Sequence, residues 1–205
     1  MMWKRRFFMY TTKQNNTAAG NIKLFGNIRV LIIAALLIAM SAILGKLIAF
    51  GPMPFARISI ENLPVILAGI WFGPFVGGAV GLGADLFGCV LKGYAPNPIL
   101  TIGFVSIGIV AGLVSTCMHK ANKPLVIILS DAAAHIIGSL IIKTIGLYAM
   151  YCADYSLSVL LAWRIPIYII TIIFESAIII LLMRNKAFTG QLDKVCNYGK
   201  QRRSS

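Results

Sequence analysis

The stretch that decides the fold is residues 60–91, which read IENLPVILAGIWFGPFVGGAVGLGADLFGCVL. It is almost wholly apolar, and Gly73-Pro74 interrupts it near its centre. Proline is tolerated in the first turn of a helix but not in its interior, so a Gly-Pro step ends one helix and begins another. We therefore predict two short helices, at about 60–72 and 75–91, joined by a tight hairpin.

Four longer apolar stretches flank this pair and predict helices at about 27–50, 99–118, 123–148 and 158–184. The chain is 59% hydrophobic and only 12% charged, with a mean hydropathy of +0.85. A water-soluble core cannot hide that much apolar surface, whereas about 20 apolar residues cross a bilayer as a helix. The sequence predicts an all-α integral membrane bundle of six transmembrane helices, in a single domain at residues 27–184.

The net charge of +13 would suit a nucleic-acid partner if it lay on a soluble domain. Instead, most Lys and Arg residues lie in an N-terminal arm (residues 1–26), in the loop after the fourth helix, and in a C-terminal tail (residues 185–205). Basic residues stay on the cytoplasmic side of a membrane, so we expect both termini to be cytoplasmic and no nucleic acid to bind. The arm also lacks the apolar core of a removable signal peptide.

Two of the predicted helices carry a polar stripe. The stripes are Arg164, Tyr168, Thr171 and Glu175 in the last helix, and Asp131, His135, Ser139 and Lys143 in the helix before it. Residues at these spacings share one face of a helix, so we expect both stripes to face the interior of the bundle. Glu175 and His135 fall at similar depth, and a pair between them would relieve the cost of burying either.

Lys143 and Arg164 predict an anionic ligand. In antiparallel neighbouring helices both lie one to two turns below the outer surface, where like charges repel until an anion joins them. Arg164 can bind a carboxylate with two parallel hydrogen bonds, and Arg57 in the loop after the first helix could add a contact. Lys46 and Lys92 have a simpler explanation, because long basic side chains can reach the interface.

Aromatic side chains at the same level, notably Tyr148, Trp163 and Tyr168, offer flat surfaces for an aromatic ligand. The alternative is a belt of interfacial aromatic residues, which membrane proteins commonly have. Asp85 is a carboxylate inside an apolar helix, so it is a candidate either for ligand binding or for a hydrogen bond to a neighbouring helix.

Small residues follow one face of the first helix (Ala35, Ala39 and Ala42) and of the third helix (Gly77, Gly81, Ala84 and Gly88). Such faces let another helix approach closely. The spacing leaves open whether that neighbour belongs to this chain or to a second protein.

Motifs for catalysis are missing from the sequence. Gly45-Lys46 is followed by Leu47, so there is no P-loop for ATP. No zinc-protease or nucleophile-elbow motif occurs, and the four cysteines show no C-x-x-C spacing. We expect no catalytic residues, no metal, no cofactor in this chain, and no enzymatic activity.

Several short motifs together are characteristic of a known family. They are RISI at residues 57–60, FGPFVGG at residues 72–78, GLGADLFG at residues 81–88 and RIPIY at residues 164–168. The chain resembles the S components of energy-coupling factor (ECF) transporters, most closely those that bind folate. The resemblance covers the six-helix core and is densest over residues 57–88.

The resemblance implies a vitamin-binding subunit of the bacterial plasma membrane. It would join a transmembrane coupling protein and two cytoplasmic ATPase subunits, which use the ATP. The Ala35-to-Ala39 pattern, extended by Ala42, would contact the coupling protein. Folate would lie beneath the loops at residues 51–59 and 92–98, with its carboxylates near Lys143 and Arg164 and its pterin near Asp85 or Asn97.

Two alternatives stay open from the sequence. One is an S component for another flat vitamin, such as riboflavin, thiamin or a deazapurine, which would need no paired cations. The other is a small integral membrane enzyme or an assembly scaffold, which would have no tightly bound ligand.

Overall fold

The computed structural model describes residues 28–47, 49–53, 56–93, 95–118, 121–151, 156–185 and 190. The predicted N-terminal arm and almost all of the predicted C-terminal tail lie outside these residues. The described part is a bundle of six helices with one two-stranded hairpin.

The helices agree closely with the sequence predictions. They are α1 (Ile28–Leu47), α2 (Leu63–Phe72), α3 (Pro74–Lys92), α4 (Pro98–Cys117), α5, and α6 (Leu157–Arg184). Helix α5 consists of three consecutive segments: Lys123–Ala134, a π-helical segment His135–Ile142, and Lys143–Tyr151.

A β-hairpin replaces part of the loop that we predicted between the first two helices. Strands β1 (Ala49–Met53) and β2 (Ala56–Ser59) pair antiparallel, with Ala49 opposite Ser59. The register is irregular between Phe50 and Met53, where Pro52 has no backbone N–H to donate. The sequence analysis did not predict this hairpin, because the period-2 pattern of a strand is hard to recognise in so short a segment. The predicted all-α fold class stands, since the two short strands lie within the connection between the first two helices.

The predicted break at Gly73-Pro74 is confirmed. Gly73 alone separates α2 from α3, with a φ of 89° that side-chain-bearing residues rarely adopt. Pro74 then begins α3, where its missing N–H costs nothing because the first turn has no partner for it.

Helix α2 forms the centre of the bundle. All ten of its residues are buried, and it contacts each of the other five helices. Ten residues span only about 15 Å, which is about half the thickness of a bilayer's hydrocarbon core.

The other five helices are each long and apolar enough to cross a membrane. Large apolar side chains cover their outward faces, for example Ile173 and Leu181 on α6. A water-soluble bundle would present polar residues there. The prediction of a helical membrane bundle is thus confirmed. Five of the six predicted spanning helices are long enough to cross a bilayer among the described residues, and a crossing by α2 stays a prediction.

Glycines bring α3 and α4 into backbone contact. A Cβ atom added at Gly77 would lie 2.5 Å from the carbonyl oxygen of Gly108. The small-residue face of the third helix therefore serves packing within this chain, at least at Gly77 and Gly81, where the neighbouring backbone is α4 in both cases.

The hairpin marks one end of the bundle. The last turns of α1 and α3 meet there, since Lys46 Nζ donates a hydrogen bond to the carbonyl of Leu91 (3.3 Å). We call this the hairpin end; it also includes Gly93 and residues 95–97, which lie between α3 and α4.

Candidate functional site

Both polar stripes face the interior of the bundle, as predicted. On α5, Asp131, His135, Ser139 and Lys143 are each 7% exposed or less. On α6, Arg164, Thr171 and Glu175 are each 4% exposed or less, and Tyr168 is half-buried. The interior between α5 and α6 is therefore polar, while the outer faces of both helices are apolar.

Helices α5 and α6 are both irregular at the level of Arg164. In the π-helical segment the hydrogen bonds skip one residue more than in an α-helix, as in the bond from the Lys143 N–H to the Gly138 carbonyl. In α6, Pro166 has no N–H and removes one hydrogen bond of the helix. Such irregular turns inside membrane helices occur where the backbone is used for contacts.

Arg164 binds a backbone carbonyl of the π-helical segment. Its Nη2 donates a hydrogen bond to the backbone carbonyl of Ser139 (2.9 Å) and another to the hydroxyl of Tyr168. The guanidinium carbon also lies 5.1 Å from the centre of the Tyr168 ring. The Nε group has no hydrogen-bond partner among the described residues, so the guanidinium retains an unused donor.

Lys143 is buried nearby against different neighbours. Its Nζ donates to Oδ1 of Asn62 (3.1 Å) and lies 3.2 Å from the centre of the Phe104 ring, a cation–π contact. Helix α4 approaches closely because Gly103 has no side chain to collide with the Lys143 stem. Asn62 immediately precedes α2, so Lys143 links α5 to both α2 and α4.

Lys143 is close enough to Arg164, and also to Glu61 and Asp85, for electrostatic interaction. Among the described residues, however, no carboxylate oxygen lies within 4 Å of the charged group of Lys143 or of Arg164. Burying a charge without a counter-ion is costly, and an anion that reached both groups would offset that cost. The arrangement is therefore suited to binding an anion.

Asp85 contacts the neighbouring helix. Its Oδ2 accepts a hydrogen bond from the hydroxyl of Thr101 in the first turn of α4 (2.5 Å). Asn97 caps the same helix, with its Oδ1 accepting from the N–H of Ile99 (2.9 Å). Both predicted ligand contacts thus have a structural partner, and Asp85 keeps a second carboxylate oxygen.

The hairpin end also contains residues that the sequence analysis did not single out. Glu61 forms an ion pair with Lys92 (3.4 Å), and its backbone carbonyl accepts a hydrogen bond from Ser41. Glu61 and Asn62 are two adjacent polar residues directly before the Leu-Pro start of α2. This polar pair next to a long apolar run is the sequence feature that could have identified them. Lys92, expected only to reach the interface, instead joins α3 to this pair.

A second polar group, which we call the histidine cluster, joins α5 to α6 further from the hairpin end. Nε2 of His135 lies 2.7 Å from Oε2 of Glu175 and 3.5 Å from Oδ1 of Asp131, and Ser176 donates to Asp131 (2.6 Å). Glu175 and His135 therefore form the pair that their similar predicted depth allowed. Asp131, His135 and Glu175 offer three metal-ligand atoms within 4.8 Å of one another, but the direct His135–Glu175 contact accounts for two of these atoms without an ion.

A comparison with protein-family models decides the classification. The model described as "ECF transporter, substrate-specific component" matches residues 29–183. The chain belongs to this family. It is an integral membrane S component, from a family of transporter subunits rather than of enzymes.

Solved structures agree with this assignment. One, described as "Structure and mechanism of the S component of a bacterial ECF transporter", is 23% identical with a TM-score of 0.57, covering 76% of this chain and 93% of that one. Another, "Crystal structure of FolT bound with folic acid", is 25% identical with a TM-score of 0.57, covering 74% and 88%. No curated protein sequence matches the chain significantly.

Two predicted ligand residues of this S component face outward rather than into the buried polar interior, and a third cannot be placed there from the described side chains. Trp163 is 45% exposed and Tyr148 is 39% exposed, so neither ring belongs to the buried polar interior. Arg57 lies in β2, and its side chain is outside the described residues. A role for these three in ligand binding stays a prediction.

The alanine face of α1 is divided between exposed and buried positions. Ala35 is exposed and Ala39 is half-buried, whereas Ala42 is only 3% exposed. In this S component, Ala35 and Ala39 are therefore the accessible part of the predicted partner surface, and Ala42 packs within the chain.

Proposed function

We propose that this S component binds folate with high affinity and delivers it across the bacterial plasma membrane. One observation carries the proposal: Lys143 and Arg164 are buried at neighbouring positions, with no carboxylate within 4 Å among the described residues. Folate has a glutamyl tail with two carboxylates, which would match two cations. The folate-bound structure of FolT, similar in fold, supports the same ligand class.

Each cation has a distinct role in this proposal. Arg164 is fixed by Ser139 and Tyr168 yet has a free Nε–H, so it can add a charge-assisted hydrogen bond to a carboxylate. Lys143 acts as a point charge at the level of Phe104. The flat pterin would lie toward the hairpin end, near Asp85 and beneath the hairpin and residues 95–97.

The proposed topology has both termini in the cytoplasm and the hairpin end on the outer side. The basic N-terminal arm and C-terminal tail support this orientation. Helix α2 would be the sixth crossing; its short length is compatible with this because its neighbours surround it and its ends need not reach lipid.

The proposed partners are a membrane coupling protein and two cytoplasmic ATPase subunits, which would supply the ATP-driven step. This chain would need no cofactor of its own. Ala35 and Ala39 would face the coupling protein, since small exposed residues on a membrane helix allow close approach by another helix.

The test is a fluorescence titration of the purified protein in nanodiscs with folate, riboflavin and thiamin. We expect nanomolar binding of folate only. Arg164→Gln should weaken it roughly tenfold to a hundredfold, because one hydrogen bond to a charged group is lost. Arg184→Gln, at the opposite end of α6, is the matched control and should leave affinity unchanged.

A vitamin without carboxylates is the second candidate. The observation in its favour is that Lys143 and Arg164 already have protein partners, namely Asn62, Phe104, Ser139 and Tyr168. Tight binding of riboflavin or thiamin that survives Arg164→Gln would establish this candidate and exclude folate.

A further inference from the structure

The histidine cluster lies next to the residues that hold Arg164. His135 is the first residue of the π-helical segment, and Glu175 holds its Nε2 from the opposite helix at 2.7 Å. Both side chains are fully or almost fully buried. The pair therefore connects α6 to the first residue of the π-helical segment of α5.

One connection from this pair to Arg164 runs through the backbone of α5. Ser139 lies four residues after His135 in the π-helical segment, and its carbonyl accepts from Arg164 Nη2 (2.9 Å). If the segment relaxed to a regular α-helix, this carbonyl would rotate about the helix axis. The contact with Glu175 holds His135 in place, and through the π-helical segment it thus fixes the direction of the Ser139 carbonyl, which is one of the two acceptors of Arg164.

The other connection runs through a side chain. The His135 and Tyr168 rings are 5.6 Å apart between centres and tilted by 41°. The hydroxyl of Tyr168 accepts from Arg164. If the imidazole moved, the Tyr168 ring would lose this packing contact and could change position. His135 therefore also fixes the position of the Tyr168 hydroxyl, the second acceptor of Arg164.

We propose that the His135–Glu175 pair is a positioning device that aims Arg164 at the carboxylates of the ligand. The inference rests on the proposed function in one respect, that Arg164 contacts an anionic ligand. A cluster that served only to hold α5 and α6 together would affect stability and all ligands alike. A positioning pair affects the anionic part of the ligand selectively and only while Arg164 is present.

The experiment compares Glu175→Ala with two other variants. Glu175→Gln keeps an oxygen acceptor for His135, and Thr171→Val changes a buried residue of the same face whose hydroxyl bonds only within α6. Dissociation constants are measured in nanodiscs for folate and for 6-methylpterin, which has the pterin ring but no carboxylate. Glu175→Asp, whose carboxylate is withdrawn by one methylene, replaces Glu175→Ala if the alanine variant does not fold.

We expect Glu175→Ala to weaken folate binding roughly tenfold to a hundredfold, the effect of losing one hydrogen bond to a charged group. Affinity for 6-methylpterin should fall less than about threefold, Glu175→Gln should restore most of the affinity for folate, and Thr171→Val should have no effect. In an Arg164→Gln background, Glu175→Ala should cause no further loss, since coupled residues are not additive.

Equal losses for both ligands, or additive losses with Arg164→Gln, would overturn the inference. So would a stoichiometric divalent metal in the purified protein that disappears in Glu175→Gln, because the cluster would then be a metal site.

A ligand-free measurement separates this inference from the proposed function. If the wild type binds no folate, the proposed function fails, and the reaction of Arg164 with phenylglyoxal, followed by mass spectrometry, still tests the positioning. The rate at Arg164 should rise at least threefold in Glu175→Ala and stay unchanged in Thr171→Val. An unchanged rate in Glu175→Ala would overturn the inference.

Discussion

Replacing Lys143 with methionine separates a ligand-binding lysine from a structural one. Methionine has a similar length and apolar stem, so it keeps the packing of the side chain against Gly103 of α4. It removes the charge, the hydrogen bond to Asn62 and the cation–π contact with Phe104. These changes have opposite effects on the stability of the ligand-free protein.

The magnitudes nearly cancel without ligand. Removing this buried charge, which has no carboxylate oxygen within 4 Å among the described residues, recovers several kcal/mol of desolvation free energy. The lost hydrogen bond costs about 1.5–3 kcal/mol, and the lost cation–π contact costs about 2 kcal/mol. We therefore expect the midpoint of thermal unfolding of Lys143→Met to change by less than about 4 °C.

The ligand-bound state should respond differently. Loss of one charge-assisted contact to a folate carboxylate should raise the dissociation constant roughly tenfold to a hundredfold. The assay is thermal unfolding in nanodiscs with and without saturating folate, beside a fluorescence titration. The matched control is Lys92→Met, because Lys92 pairs with Glu61 at the half-buried rim.

The reasoning would be refuted by the reverse pattern. A fall of more than about 10 °C in the ligand-free protein, with an unchanged folate dissociation constant, would make Lys143 a structural residue of the α2–α4–α5 contact.

Two further predictions concern the packing of α3 against α4 and the hydrogen bond between Asp85 and Thr101. Gly77→Ala should lower the free energy of unfolding by about 1–3 kcal/mol, because its Cβ would lie 2.5 Å from the carbonyl oxygen of Gly108. A Cβ atom added at Gly88, in the same helix, would have no atom within 4 Å. Gly88→Ala should therefore leave the free energy of unfolding unchanged or raise it by up to about 1 kcal/mol. Equal effects of Gly77→Ala and Gly88→Ala would contradict the close approach of α3 and α4. Thr101→Val leaves Asp85 without its hydroxyl partner and should lower the free energy of unfolding by about 1–3 kcal/mol. Asp85→Asn keeps an oxygen acceptor for Thr101 and should lower it by less than about 1 kcal/mol, as measured by chemical unfolding. A larger loss from Asp85→Asn would show that the charge itself stabilises the fold.

The helices could be predicted from the sequence because lipid imposes a simple rule. Every membrane helix needs a long apolar run, and its ends coincide with Gly, Pro or charged residues. The boundaries of α3, α4 and α6 agree with the prediction to within a residue. The break at Gly73-Pro74 was visible for the same reason, since only glycine tolerates the positive φ found there.

The interior direction of the two polar stripes was also determined by sequence, because helical periodicity places such residues on one face and hydrocarbon excludes them from the other. A rise of 1.5 Å per residue also placed His135 and Glu175 at similar depth, but it left open whether the two side chains pair.

The tertiary structure decided which groups meet, and periodicity carries no such information. Asn62 and Phe104 are far from Lys143 in the chain, and only the packing of α2 and α4 against α5 brings them to its ammonium group. The π-helical segment likewise has no clear sequence signal, yet it is where the Ser139 carbonyl binds Arg164. The helices and their polar faces thus follow from lipid burial, which acts locally along the chain. The partners of each buried charge follow from contacts between segments that are far apart in the chain, and these contacts form only when the helices pack together.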